Sequence, residues 1–391
     1  MKKTVIRMLA LTMALVLCLG LAACGAAPDE GQTKKTKKTT TTTEEVADAT
    51  TTDKADTTVV GVNTTTTTTK KNDTTTTSRT KNVQGGIAHT TEAPTTTTTR
   101  PQPKNPIRVL AIGHSFAVDA LRAHLWDMLK CAGYDYIVVA YLFTPSCSLN
   151  EQWERMQGKA DHEQYCKTDP YTGEWDYYGP VQGSPDNKVQ YAIRDEKWDV
   201  ITLQPDPDYG GGLKYWPSVD NDYKNLGNIL NWIYKNKTNS KAKLYYHMTW
   251  SFAKDCALWC FGNSSPFKGD QLLHYRSFVE ATREYVLKPY NSYFAGVIPA
   301  GTSIQNARSS RLGDTFNMPG NNDPKADGYH LNDKGDYVAS LTWYAVITGK
   351  SAKTVTYYGK NGEYKADFAI LAEAVDNAVA KWDDVTPSSY K

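Results

Sequence analysis

From residue 106 onward, short apolar runs alternate with segments whose apolar residues recur at three- and four-residue spacing. The runs 108–112, 136–142, 199–203, 243–248 and 293–299 predict strands. Amphipathic stretches over 118–132, 187–197, 219–236, 270–288, 302–310, 334–348 and 366–382 predict helices. In the first of these, Leu121, Leu125, Met128 and Leu129 mark one buried face. Strands that are nearly continuous apolar runs, separated by helices, predict an α/β fold: a three-layer α/β/α sandwich around a mostly parallel sheet of about five strands. Ligands of such sheets bind at the carboxyl ends of the strands. Ser115 follows the first run directly and is expected there.

The first 105 residues read differently. Residues 1–21 open with Lys2, Lys3 and Arg7, continue as an apolar run and end at small residues, the pattern of an export signal. The run is too short and wrongly flanked for a membrane span. Its end, Leu21-Ala22-Ala23-Cys24, resembles the lipobox of bacterial lipoproteins. That resemblance implies a signal over 1–23, a diacylglycerol on the Cys24 thiol and an extracytoplasmic, membrane-anchored protein. An ordinary secretory cleavage beside an incidental cysteine is the competing reading. Residues 24–105 are dominated by threonine with almost no large apolar side chain, so they cannot offset their ordering entropy and are expected to form a disordered tether. About 80 residues give a coil span of roughly 50 Å and a stretched reach of roughly 260 Å. Residues 106–391 are expected to be one domain.

Formal charge is +2, with no basic stripe interleaved with aromatics, which argues against nucleic acid as a partner. Of seven cysteines, Cys18 and Cys24 precede the domain. The remainder, Cys131, Cys147, Cys166, Cys256 and Cys260, are odd in number and sparse, which is no disulfide framework. Cys256 and Cys260 lack zinc-ligand partners at the usual spacing. Asp206, Asp208, Asp220 and Asp222 form no recognisable calcium loop. No metal and no cofactor are expected.

Ser115 has two readings: a nucleophile at the crevice, or an N-cap, which favours serine for the same geometric reason. A nucleophile needs a base. The segment 327–339 places Asp327 three residues before His330, where its carboxylate would accept the Nδ1 proton and leave Nε2 to take the proton of a serine hydroxyl.

With these two sites paired, the chain resembles the SGNH hydrolases, the GDSL lipase and acylhydrolase superfamily, and within it a bacterial branch whose first block reads Gly-Asn-Ser-Phe. The blocks "AIGHSF" (111–116), "SCSLNEQW" (146–153), "WDVITLQ" (198–204), "YYHMTW" (245–250), "IPAGTSIQNAR" (298–308) and "DGYHLNDKGDYVA" (327–339) carry the resemblance. It implies a flavodoxin-like sheet and a triad of Ser115, His330 and Asp327. It also implies an oxyanion site made by the N–H of Ser115, a second N–H around Ser146 and Cys147, and a side-chain amide after the third strand. The chain departs from the family twice: Ser146-Cys147 stands where glycine is usual, and Gln204 where asparagine is. A backbone donor survives the first change only if the position does not require positive φ. Beside the serine, His114 replaces Asn or Asp and is open to a surface, structural or proton-accepting role. His247, at the end of the fourth strand, is a candidate for substrate contact or an internally satisfied histidine.

The segments 160–187 and 205–218 are rich in Tyr, Trp, Asp and Gly, a composition suited either to stacking sugar rings or to a loop folded over its own aromatics. Together these features predict a surface-tethered serine esterase acting on oxygen esters, with acyl groups on a carbohydrate as the expected substrate. The rivals are a carbohydrate-binding protein that keeps the fold without catalysis, and an adhesion module that leaves the triad without a purpose.

Overall fold

The computed structural model describes residues 102–208, 211, 214–216, 222–320 and 327–391. The signal over 1–23, Cys24, the tether expected over 24–105 as far as residue 101, and Asp220 lie outside the described residues. Among the described residues no helix is long and apolar enough to cross a membrane.

The element order is β1 (Pro106–Ile112), α1 (Ser115–Leu121), α2 (Leu125–Cys131), β2 (Tyr136–Phe143), α3 (Leu149–Met156), β3 (Gln164–Thr168), β4 (Trp175–Tyr177) and α4 (Lys188–Asp195). There follow β5 (Val200–Leu203), α5 (Leu226–Asn236), β6 (Lys243–His247), α6 (Gln271–Ala281), β7 (Gly296–Ile298), α7 (Ala300–Arg308), α8 (Asp333–Thr348) and α9 (Phe368–Ala380). One sheet has the order β4-β3-β2-β1-β5-β6-β7. The five strands expected from the apolar runs are β1, β2, β5, β6 and β7, all parallel. The sheet grows to seven because the 160–187 segment folds into the antiparallel pair β3 and β4 on the edge of β2. Of its aromatics Trp175 packs inward, 5.1 Å from Tyr141, ring to ring, with its Nε1 donating to Arg122 O, while Tyr177 stays 66% exposed. Part of that segment therefore builds sheet.

Alternation along the strands sorts the core into two halves. Val109, Ala111, Val139 and Tyr141 face α1, α2, α7, α8 and α9; Leu110, Ile112, Ala140 and Leu142 face α3, α4, α5 and α6. Both faces are covered, which is why these strands read as unbroken apolar runs. Helix ends differ from expectation where local chemistry intervenes. The helix expected over 118–132 is split at Arg122–His124, and the one over 270–288 continues beyond α6 as a π-helical turn, Thr282–Leu287. Helix α3 was not expected; Ser148 and Glu151 start it with a reciprocal capping box.

Successive connections leave β1 in opposite directions, to β2 on one side and β5 on the other. The crevice outside the carboxyl ends of β1 and β5 is the switch point at which such sheets bind ligands.

Candidate active site

Ser115 is the first residue of α1 and stands at that switch point, half-buried. The cap of this helix is His114: its Nδ1 accepts from Phe116 N at 3.3 Å and its Nε2–H donates to Pro205 O at 2.8 Å. Burial pushes the His114 pKa down to about 3, so the ring is a neutral structural hydrogen bonder and not a surface residue or a base. With the cap supplied by its neighbour, the N-cap reading of Ser115 falls away. Among the described residues its hydroxyl makes no hydrogen bond, and its N–H is one of the orphan donors at the helix start.

The turn before Ser115 is fastened from beneath. Gln152, fully buried on α3, donates to Gly113 O at 3.1 Å and accepts from His162 Nε2–H at 2.7 Å. Gln204 does the same one residue on, reaching His114 O at 3.5 Å while accepting from His247 Nδ1–H at 2.9 Å. A Cβ at Gly113 would lie 2.6 Å from the Gln204 side chain, so any larger residue there would displace Gln204 from its place under the turn. Gln204 and His247 are 2% and 0% exposed. In this arrangement the Gln204 amide, expected as an oxyanion donor, is turned to the His114 carbonyl, and the His247 ring, open to substrate contact or an internal role, is enclosed against Gln204. A glutamine stem long enough to reach an oxyanion also reaches the turn beneath it. Burial drives both histidines to a pKa of about 3, leaving His162 Nδ1 and His247 Nε2 as bare, unprotonated nitrogens.

Asp327 and His330 come together as their spacing requires. Asp327 Oδ2 accepts from His330 Nδ1–H at 2.6 Å, and its Oδ1 accepts from the N–H groups of Tyr329 and His330, each at 2.9 Å. Gly328 makes this turn possible: its φ is +72°, and a Cβ would meet Cys256 at 2.7 Å. The loop is tied to the serine side by Phe116, which stacks on Trp250 at 4.4 Å and meets the His330 ring edge-on at 5.6 Å. Trp250 Nε1 in turn donates to Tyr329 O at 3.0 Å. His330 Nε2 makes no hydrogen bond among the described residues and carries the lone pair of a base. Burial opposes a charge on His330, but Asp119 and Asp327 outweigh it and raise its pKa above the ordinary value.

Ser146 has φ +46°, so the position expected to hold glycine does demand the left-handed region, and serine occupies it under strain. The N–H of Cys147 donates to nothing among the described residues, whereas that of Ser148 is taken by Glu151. Cys147 is buried and its thiol pKa is pushed well up by desolvation, which makes its side chain inert. All five cysteines of the domain are free thiols. Asp206 and Asp222 are buried near one another with Asp208 half-buried beside Asp206, and Asp208 Oδ1 accepts from Cys260 Sγ at 3.3 Å. The described residues contain no group of three that would hold a metal.

Two groups escaped sequence reasoning. Gln152 lies in the block 146–153, but its partner His162 falls ten residues on, in the aromatic-rich segment 160–187. Asp119, one turn after Ser115, is the only charge in "SFAVDAL", a visible signal on a helix that buries Phe116, Ala117, Ala120 and Leu121.

Residues 108–376 match a family model described as domain of unknown function DUF4886. A solved DUF4886 family protein from Bacteroides uniformis is 28% identical with a TM-score of 0.61, covering 72% of this chain and 98% of its own. A protein from Parabacteroides merdae described as a GDSL-like lipase shares 13% identity, TM-score 0.37, over 63% and 98%. An extracellular lipase from Streptomyces rimosus shares 10%, TM-score 0.34, over 62% and 99%. No curated protein matches.

Replacing Ser146 by glycine is expected to relieve the left-handed strain, stabilising the protein by about 1 kcal/mol and raising its melting temperature by roughly 2–4 °C in a thermal melt. An unchanged or lowered melting temperature would show that the serine is not strained. A second expectation concerns pH: a base must be unprotonated, so kcat/KM should rise with pH through the raised His330 pKa, with its acid limb centred above 6.5. A limb centred below that value would remove His330 from the role of base.

Proposed function

The chain belongs to the DUF4886 family, and we propose that it is a serine hydrolase of oxygen esters, related to the SGNH hydrolases. The observation that carries this reading is a histidine fixed by a carboxylate at 2.6 Å, its other nitrogen free, on a loop packed against the residue next to an unengaged serine. In this reading Ser115 Oγ attacks the ester carbonyl as His330 Nε2 takes its proton, and the imidazolium then protonates the departing alkoxide. Asp327 holds the tautomer and stabilises the cation. The Ser115 and Cys147 N–H groups receive the oxyanion; water repeats the cycle on the acyl-enzyme.

The proposed substrate class is an acyl group on a carbohydrate. It is supported by Trp259, 45% exposed and packed edge-on against Trp216 at 5.4 Å, on the loops that follow β6 and β5 at the crevice end of the sheet. An indole face suits the C–H face of a sugar ring. We also propose that Cys24 carries lipid and that residues 24–105 tether the domain outside the membrane, a reading that rests on the sequence. A carbohydrate-binding protein without turnover is the second reading, favoured by the burial of Gln204: loss of one oxyanion donor costs about 3 to 4 kcal/mol of transition-state stabilisation.

Treatment of the purified protein with a fluorophosphonate is expected to label Ser115, and Ser115→Ala and His330→Ala should each abolish hydrolysis of a small acetyl ester without loss of thermal stability. The double variant should be scarcely worse than either. An unlabelled Ser115 with intact glycan binding would select the second reading. Cys24→Ser is expected to move the protein from the membrane to the soluble fraction; unchanged membrane retention would refute the anchor.

A further inference from the structure

The catalytic reading leaves two half-buried carboxyl groups unused, Asp119 and Asp336. Asp119 lies four residues after Ser115 and thus on the same face of α1. Its Oδ2 accepts from the N–H of Leu331, the residue after His330, at 3.2 Å. Helix α8 packs across α1 where Ser340 Oγ donates to Ala120 O at 2.7 Å. Asp336, one turn before Ser340, therefore faces α1 beside Asp119. Its Oδ1 is buried with no hydrogen-bond partner, which is costly for a carboxylate and ordinary for a carboxylic acid whose hydroxyl has found an anion.

Two neighbouring carboxyl groups out of water do not both ionise. Burial first, then the charges of Asp119 and Asp333, raise the Asp336 pKa far above the carboxylate range. Asp119 is raised less: burial and Asp327 push it up, while His330 and the Leu331 N–H hold it down. The proton of the pair belongs on Asp336.

We propose that Asp119, kept as the anion by a protonated Asp336, is a second carboxylate for His330, a positioning residue that acts with Asp327 to stabilise the imidazolium formed when Ser115 loses its proton. The proposal rests on the serine hydrolase reading. It places charge on the serine's own helix, so the nucleophile and its base's counter-ion move as one body. Among the described residues the groups facing His330 are Asp327 from its own loop, Asp119 from α1, and neutral His114 at the head of that helix. Asp336 faces Asp119 from α8, with Asp333 acting on Asp336 from the same helix and itself engaged by Tyr364 and His124.

The test follows the titration of the His330 ring by NMR in the full protein, alongside the pH dependence of kcat/KM on p-nitrophenyl acetate. Asp119→Asn is expected to lower the His330 pKa by about one unit or more and to move the acid limb down with it. Asp336→Asn, which keeps a donor toward Asp119 and removes no charge, should leave the His330 titration at its wild-type position. If Asp119→Asn misfolds, Asp119→Ser retains an acceptor for Leu331 N–H and gives the same readout. A His330 titration indifferent to loss of Asp119 overturns the proposal, as does an equal shift from Asp336→Asn, which would place the charge on Asp336. The ring titration does not depend on turnover, so an inactive wild type would count against the hydrolase reading and leave the carboxyl pair tested.

Discussion

The structure turns on how the chain leaves β1. A strand that stops at the edge of a sheet ends in carbonyls with no ladder partner, and buried carbonyls left bare are costly. Here the oxygens of Gly113 and His114 are met by two buried glutamine amides, and each glutamine is held from behind by a neutral histidine. The arrangement fixes the position of Ser115 to within the play of four packed side chains drawn from α3, the β3 approach, β5 and β6. Everything at the crevice is referred to that turn: the helix that begins there, the cap that His114 provides, and the loop that Phe116 and Trp250 hold alongside.

The same turn explains a division of labour among the histidines. His114, His162, His247 and His274 are buried, with pKa values driven to about 3, and act as fixed neutral hydrogen bonders or as rings in aromatic packing. In His330 alone among the described histidines do carboxylates outweigh burial and raise the pKa; in His124, 3.2 Å from Asp333, burial still wins. One residue type thus does two jobs, separated by the balance between burial and the negative charge that accompanies the ring.

How much of this the sequence discloses depends on the range of the interaction. The five parallel strands are legible because two covered faces force continuous apolar runs, and Asp327 and His330 are legible because their partnership spans three residues. The β3–β4 pair is not: its aromatic-rich segment reads equally well as a binding loop, and only its register on β2 decides. Gln204 and His247 sit where expected along the chain, but their enclosure against each other and the His114 carbonyl is a property of packing and leaves no local mark. Ser146 shows the opposite case. The chain keeps a left-handed turn with a residue that does not favour it, so the backbone requirement outlasts the glycine that would reveal it.

Pro106 starts the central strand, and just before it the N–H groups of Lys104 and Asn105 are clasped by the Asp135 carboxylate, each at 2.9 Å. The clasp lies at the amino end of β1 and Ser115 at the carboxyl end. β1 is paired along its length with β2 and in its second half with β5, both parallel. A pull on the amino-terminal segment would therefore load this strand along its own axis. Its ladder bonds would resist together in shear and would not peel one by one. The clasp takes up the force first, and the serine turn, at the far end of the loaded strand, is the last part of the sheet to feel it.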